Sequence, residues 1–111
     1  MLADAGRAAE SLDLAQRGVV VATELLPPDH PFIGFAQATL AKILLQADRY
    51  EEAEEPARRA LDIMTEKLGP DHRNTLTAMH NLGVIAAALG RHEDALALTL
   101  GRYETMAEAD P

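Results

Sequence analysis

Two Asp-His pairs, Asp29-His30 and Asp71-His72, carry the residue types that metal binding or acid-base chemistry would use. Each follows a proline, and the tripeptide Pro28-Asp29-His30 returns as Pro70-Asp71-His72 at a 42-residue offset. Homologous linkers one repeat apart hold the two histidines too far from each other to share one ion, so turn and helix-cap chemistry is the better account of both. Glu51/Glu52 and Glu54/Glu55 are paired carboxylates, but they fall on the outer side of one helical segment without a cleft to desolvate them. Ser11 has no nearby His and Asp pattern, and neither a glycine-rich phosphate loop nor an H-E-x-x-H motif occurs. With no cysteine there is no thiol nucleophile, disulfide framework or Cys-based zinc site, and secretion is neither required nor excluded. The expectation is a chain without catalytic residues, metal site or cofactor, and not an enzyme.

The linker spacing extends to the whole chain. Arg49-Tyr50-Glu51-Glu52-Ala53 returns at the same offset as Arg91-His92-Glu93-Asp94-Ala95, and sliding residues 28–68 onto 70–110 matches eleven of forty-one positions. Among them are Leu40 on Leu82, Ile43 on Ile85, Ala53 on Ala95 and Glu66 on Glu108. Self-similarity at this period indicates a stacked array, whose usual work is to hold another molecule.

The elements that position these residues are helices. Ala and Leu dominate, aromatic residues make up 4% of the chain with no Trp, and 48% of residues are hydrophobic, enough for one modest core in a single domain of 111 residues. Helices are expected over roughly 8–25, 31–47, 50–67, 73–89 and 92–108. They are separated by Gly/Pro linkers in which Asp29 or Asp71 caps the next helix, and by tighter turns at Asp48-Arg49-Tyr50-Glu51 and Gly90-Arg91-His92-Glu93. The spacing of Asp48 and Glu51 is that of a capping box. Pro56 cannot donate to the carbonyl of Glu52, so a kink or a late start is expected in the third helix. Apolar stripes at helical spacing, Leu40, Ile43, Leu44 and Ala47 with their copies Leu82, Ile85, Ala86 and Leu89, read as core. The small residues Ala41 and Gly83 facing Ala53, Ala57, Ala60 or Ala95 permit close helix approach.

The net charge is −8, but the acids Glu51, Glu52, Glu54, Glu55, Asp62 and Glu66 spread around the polar side of one helical segment as a solvated face. No basic stripe of the kind that phosphate binding requires is present, so nucleic acid is not an expected partner. No apolar run reaches the roughly 18 residues of a membrane span and no signal-peptide pattern opens the chain; a cytoplasmic protein without membrane partners is expected.

The residues resemble the tetratricopeptide repeat family in its longer 42-residue form, found in kinesin light chains and in many bacterial regulatory proteins. The match spans nearly the whole chain. Leu68-Gly69-Pro70-Asp71-His72-Arg73-Asn74-Thr75-Leu76, then His80-Asn81-Leu82-Gly83, then Leu89-Gly90-Arg91-His92-Glu93-Asp94-Ala95 look like the family's linker, first helix and start of the second. Residues 49–61 are similarly close. Departures are Ala57 and Thr99 where the family often has Tyr or Phe, His80 in place of a second Asn before Asn81, and Gly101 in the last helix. The resemblance implies an all-α, right-handed α-α superhelix of about five antiparallel helices: a half repeat at 1–27, then repeats at 28–69 and 70–111. Aligned by the offset, residues 1–5 would be the last turn of a preceding helix, and Pro111 would fall at a further linker, as in an excerpt of a longer array.

In such a stack the first helix of each repeat lines a concave groove that binds a peptide or protein. The resemblance carries the groove positions onto Phe35, Ala38, Thr39, Lys42, Leu45 and Gln46 of one repeat and Thr77, His80, Asn81, Val84, Ala87 and Ala88 of the next, with Lys42 as their only formal charge. The partner-binding candidates are Phe35, Thr39, Lys42, Gln46, Thr77, His80, Asn81 and Val84, with Asn81 foremost because its amide donates to and accepts from one peptide unit. Two further readings belong to different classes. One is a structural segment that forms a homo-oligomer through the N-terminal helix, rich in Leu12, Val19, Val20, Val21, Leu25 and Leu26; the other is a regulatory sensor module of a larger signalling protein.

Overall fold

The computed structural model describes residues 2–109, with side chains from 6 to 108. Five helices follow one another: α1 (Leu2–Leu25), α2 (Pro31–Gln46), α3 (Tyr50–Leu68), α4 (Arg73–Ala88) and α5 (His92–Ala109). No strand occurs among the described residues. Four of the helices lie within about one residue of the expected bounds. The first departs, since α1 runs unbroken from Leu2 and residues 2–5 belong to it rather than to a preceding helix. Pro111 lies outside the described residues.

The starts of α2 and α4 are set by histidines. The backbone of His30 (φ −62°, ψ 136°) is extended, and its Nδ1 accepts from the amide of Phe32 at 3.1 Å; His72 (φ −66°, ψ 143°) repeats this with the amide of Asn74 at 3.0 Å. Pro31 follows at a position where its missing N–H would have no helical partner. The expected caps, Asp29 and Asp71, sit one residue too early to face those amides. Asp29 instead accepts from Lys67 Nζ at 2.8 Å, tying the α1–α2 linker to the last turn of α3. That bond, and the charge behind it, hold the Asp29 carboxyl below the ordinary carboxylate range and raise the Lys67 ammonium.

The expected capping box does not form. Asp48 lies in the left-handed region (φ 60°) and belongs to the end of α2, where Arg49 N donates to Leu44 O (2.9 Å) and Asp48 N to Leu45 O (3.0 Å). This is the Schellman pattern, in which the residue after the cap must turn left-handed. Gly90 (φ 80°) occupies the same place after α4, with Arg91 N on Ala86 O (2.8 Å) and Gly90 N on Ala87 O (3.0 Å). Tyr50 Oη, whose proton the Asp48 carboxylate holds more firmly than usual, donates to Asp48 Oδ1 at 2.8 Å. Arg49 becomes the N-cap of α3 without a side-chain cap bond and pairs bidentately with Glu52. Helix α3 starts at Tyr50 and passes through Pro56, so the late start does not occur.

Each helix packs on the next, and α2 also touches α4. The core is built largely from small residues: Ala41, Leu44, Ala53, Ala57, Leu82 and Ile85 form one buried cluster, and Ala60, Met64 and Ala78 a second. Alanine on facing helices lets the backbones approach and close-pack without voids. Of the expected stripes, Leu44, Leu82, Ile85 and Ala86 are buried and Leu40, Ile43 and Leu89 partly so; Ala47 is exposed because it caps α2. The tightest side-chain contact on a glycine is at Gly34 rather than Gly83. A Cβ on Gly34 would lie 3.0 Å from Ile63 Cγ2, whereas at Gly83 the nearest atom would be 3.8 Å away.

Candidate functional site

The stacked helices bring the candidate partner-binding residues into three separate clefts. Phe35 and Thr39 of α2 meet Thr77 and Asn81 of α4 in a cleft of about 200 Å³ floored by Met64 and Ala78. This is the α2–α4 seam, where side chains of successive repeats converge although a whole repeat separates them in sequence. His80 and Val84 instead line a cleft of about 550 Å³ between α4 and α5, with Thr99, Arg102 and Tyr103. Gln46 borders a third, of about 450 Å³, between α1 and α2. Lys42 is exposed on α2 and stands outside all three.

Polar capacity differs among these residues. Thr39 Oγ1 donates to Phe35 O (2.9 Å) and Thr77 Oγ1 to Arg73 O (3.0 Å), so each hydroxyl has spent its proton on its own helix and offers a ligand only lone pairs. Asn81 is half-buried, and among the described residues its amide forms no hydrogen bond within the protein. Its donors and its acceptor therefore remain available where Phe35 supplies an adjoining apolar wall. Phe35 itself packs against Phe32, with ring centroids 6.3 Å apart.

Arg102 and Tyr103 were absent from the sequence-based set. Arg102 is half-buried, its Nε donating to Leu76 O at 3.3 Å, and its guanidinium lies 6.0 Å from the Tyr103 ring. It brings a positive charge to the α4–α5 cleft that His80 and Val84 line. Their place on the second helix of the repeat hid them, because only first helices supplied groove positions. The departure at Thr99, which replaces an aromatic residue and opens the cleft beside them, was the available clue. Among the described residues no cluster of three or more His, Asp or Glu is placed to hold a metal, and no helix is long and apolar enough to cross a membrane.

Antiparallel helix hairpins with matching caps, stacked so that first helices meet along one seam, define an α-α repeat solenoid. Residues 1–66 and 57–99 match the model of the tetratricopeptide repeat family, and the chain belongs to that family. In solved structures the same architecture appears in a candidate kinesin light chain of Podosopora anserina with nearly identical TPR-like repeats. That protein is 22% identical, superposes with a TM-score of 0.86, and is matched over 97% of this chain and 51% of its own. A single-substitution variant of the same protein matches with the same values. The chain thus spans about half the length of these solved chains, and the likeness speaks for the fold. No curated protein matches it in sequence.

Proposed function

We propose that the chain is a protein-interaction module, without a reaction of its own, that holds a peptide or protein partner along the face made by α2 and α4, in a cytoplasmic setting. In this reading residues 28–69 and 70–111 act as two repeats after a half repeat at 1–27. Phe35, Thr39, Lys42, Gln46, Thr77, His80, Asn81 and Val84 make the contacts. The observation that carries it is the unengaged Asn81 amide beside Phe35 in the α2–α4 cleft. A peptide unit laid there gains one donor and one acceptor bond. With a partner recovered by pull-down and measured calorimetrically, Asn81→Ala and Lys42→Glu should each weaken binding. Loss of a partly buried hydrogen-bonding partner is worth about 1–3 kcal/mol, roughly a five- to hundredfold rise in Kd. Glu55→Ala, exposed on α3, should change Kd less than twofold. Loss of binding in the Glu55 variant with the Asn81 variant unaffected, both folded, would move the partner to another face and reject the reading.

A second reading is favoured by one observation. On α1, Leu14, Val20, Val21 and Leu25 are 67%, 54%, 51% and 77% exposed, an apolar surface suited to self-association or to a neighbouring domain of a larger regulatory protein.

A further inference from the structure

Among the described residues each inner helix packs against at least two others, whereas α1 packs on α2 alone and α5 on α4 alone. The 42-residue offset shows what the open side of α5 would meet. One repeat earlier, Ala57, Ala60 and Met64 of α3 are buried beneath α4: Ala60 and Met64 cluster with Ala78, and Ala57 with Leu82. Their copies on α5, Thr99, Arg102 and Met106, are exposed or half-buried. Leu96, Leu100 and Tyr103 alongside them are exposed, large apolar side chains.

A helix identical to α4 would not settle on this face. Arg102 stands where Ala60 receives Ala78, and covering its guanidinium with a methyl group would remove water without replacing it. Among the described residues Arg102 forms no ion pair, and no carboxylate lines its cleft. The occupant must therefore be helical, apolar along one stripe, and acidic at the position that Ala78 holds in the copy.

Helix α1 carries that pattern. Glu10, Leu14, Gly18 and Val21 have the same spacing as Ala78, Leu82, Ala86 and Leu89 of α4, with small and aliphatic residues in corresponding places. The charge that Glu10 introduces for Ala78 falls where the receiving face introduces Arg102 for Ala60. All four α1 residues are exposed, a Cβ on Gly18 would meet nothing within 4 Å, and Glu10 pairs with no base among the described residues. In the same register Arg17 stands for Ile85 and approaches the acidic first turn of α5, Glu93 and Asp94.

We infer that the open α4–α5 face docks α1 of a second copy of this chain, Glu10 meeting Arg102 and the Leu14–Val21 stripe lying along the apolar side of α5. This rests on the reading that α1 self-associates and names the surface it meets. Two different faces join, so the assembly grows past a dimer or closes into a ring.

Light scattering and sedimentation of the whole chain test the pairing, with circular-dichroism melts to confirm that each variant is folded. The parent should gain mass with concentration. Val21→Glu spoils the α1 face and Leu100→Glu the α5 face, both at exposed positions. Each variant alone should stay monomeric, and an equimolar mixture should form a 1:1 pair because each retains the face the other has lost. Glu10→Arg should weaken self-association by at least about tenfold, and adding Arg102→Glu to the same chain should restore most of it. This charge exchange decides the question even where an apolar-face variant misfolds, since Glu10 is exposed and outside the core. A parent that stays monomeric at every concentration rejects self-association and the inference together. A parent that associates while Leu100→Glu associates undiminished keeps the self-association but overturns the pairing of faces. A mixture that remains monomeric, or a Glu10 variant that behaves as the parent, overturns it equally.

Discussion

His72 and Thr75 show how much a single side chain decides in this small core. Because the His72 imidazole, not the Asp71 carboxylate, accepts the first free amide of α4, His72→Ala should cost about 0.5–2 kcal/mol while Asp71→Ala should cost less than half as much. Thermal melts of the two variants check this, and the reverse order would restore the aspartate as the cap. Thr75 is fully buried at the position that Ile33 fills one repeat earlier, and its Oγ1 has no hydrogen-bond partner. Burying an unpaired hydroxyl is unfavourable, so Thr75→Val should stabilise by about 1 kcal/mol or more in denaturant unfolding. A destabilised variant would mean that the hydroxyl is satisfied in solution. The sequence marked both histidines as cap-region residues, but which atom of Asp-His meets the amide depends on one ψ angle. No spacing rule encodes that angle.

At the scale of the helix, the packing distances rank two glycines that sequence alone treats alike. A methyl on Gly34 would have to displace Ile63, and Ile63 is itself buried, so Gly34→Ala should destabilise by about 1–3 kcal/mol. Gly83→Ala meets ordinary contacts and gains helix propensity, so it should be neutral or stabilising by up to about 1 kcal/mol. Equal melting shifts in the two variants would contradict the close contact of Ile63 with Gly34. The close pairing of small residues was legible from Ala41, Ala53, Ala57 and Ala60. That the Ile63 side chain lies against Gly34 was not, since it follows from how Ile63 is directed across the junction. The two Schellman turns make a related point. Glycine at residue 90 announces the left-handed turn openly, whereas Asp48 occupies the same geometry and read instead as the start of the next helix.

Across the whole molecule, the apolar face of α1 sets association behaviour. Leu14, Val21 and Leu25 recur at spacings of seven and four along the chain, placing them on one side of the helix. Light scattering should therefore show a concentration-dependent rise in mass, and Val21→Glu, at an exposed position that leaves the core intact, should lower it. A strict monomer at high concentration would reject the association. Leu26, by contrast, is partly buried, so a charge there would test packing and association together.

The sequence by itself determined the period, the all-helical composition, the number of helices and the solvated acidic face, because all of these follow from near-neighbour preferences and from one pattern written twice. It also nominated the eight groove residues through the family likeness. Only the tertiary structure decided which of them meet: Phe35, Thr39, Thr77 and Asn81 share one cleft, His80 and Val84 another, and Gln46 a third. It also decided that the cleft at the α1–α2 junction is walled by Ala8 and Ala47 where its copy is walled by Tyr50 and Leu89. The physical reason is that a cleft is a property of two packed surfaces. Its existence turns on pairs such as Tyr50 with Leu89 or Ala8 with Ala47, whose members lie nearly a full repeat apart and carry no mark of each other along the chain.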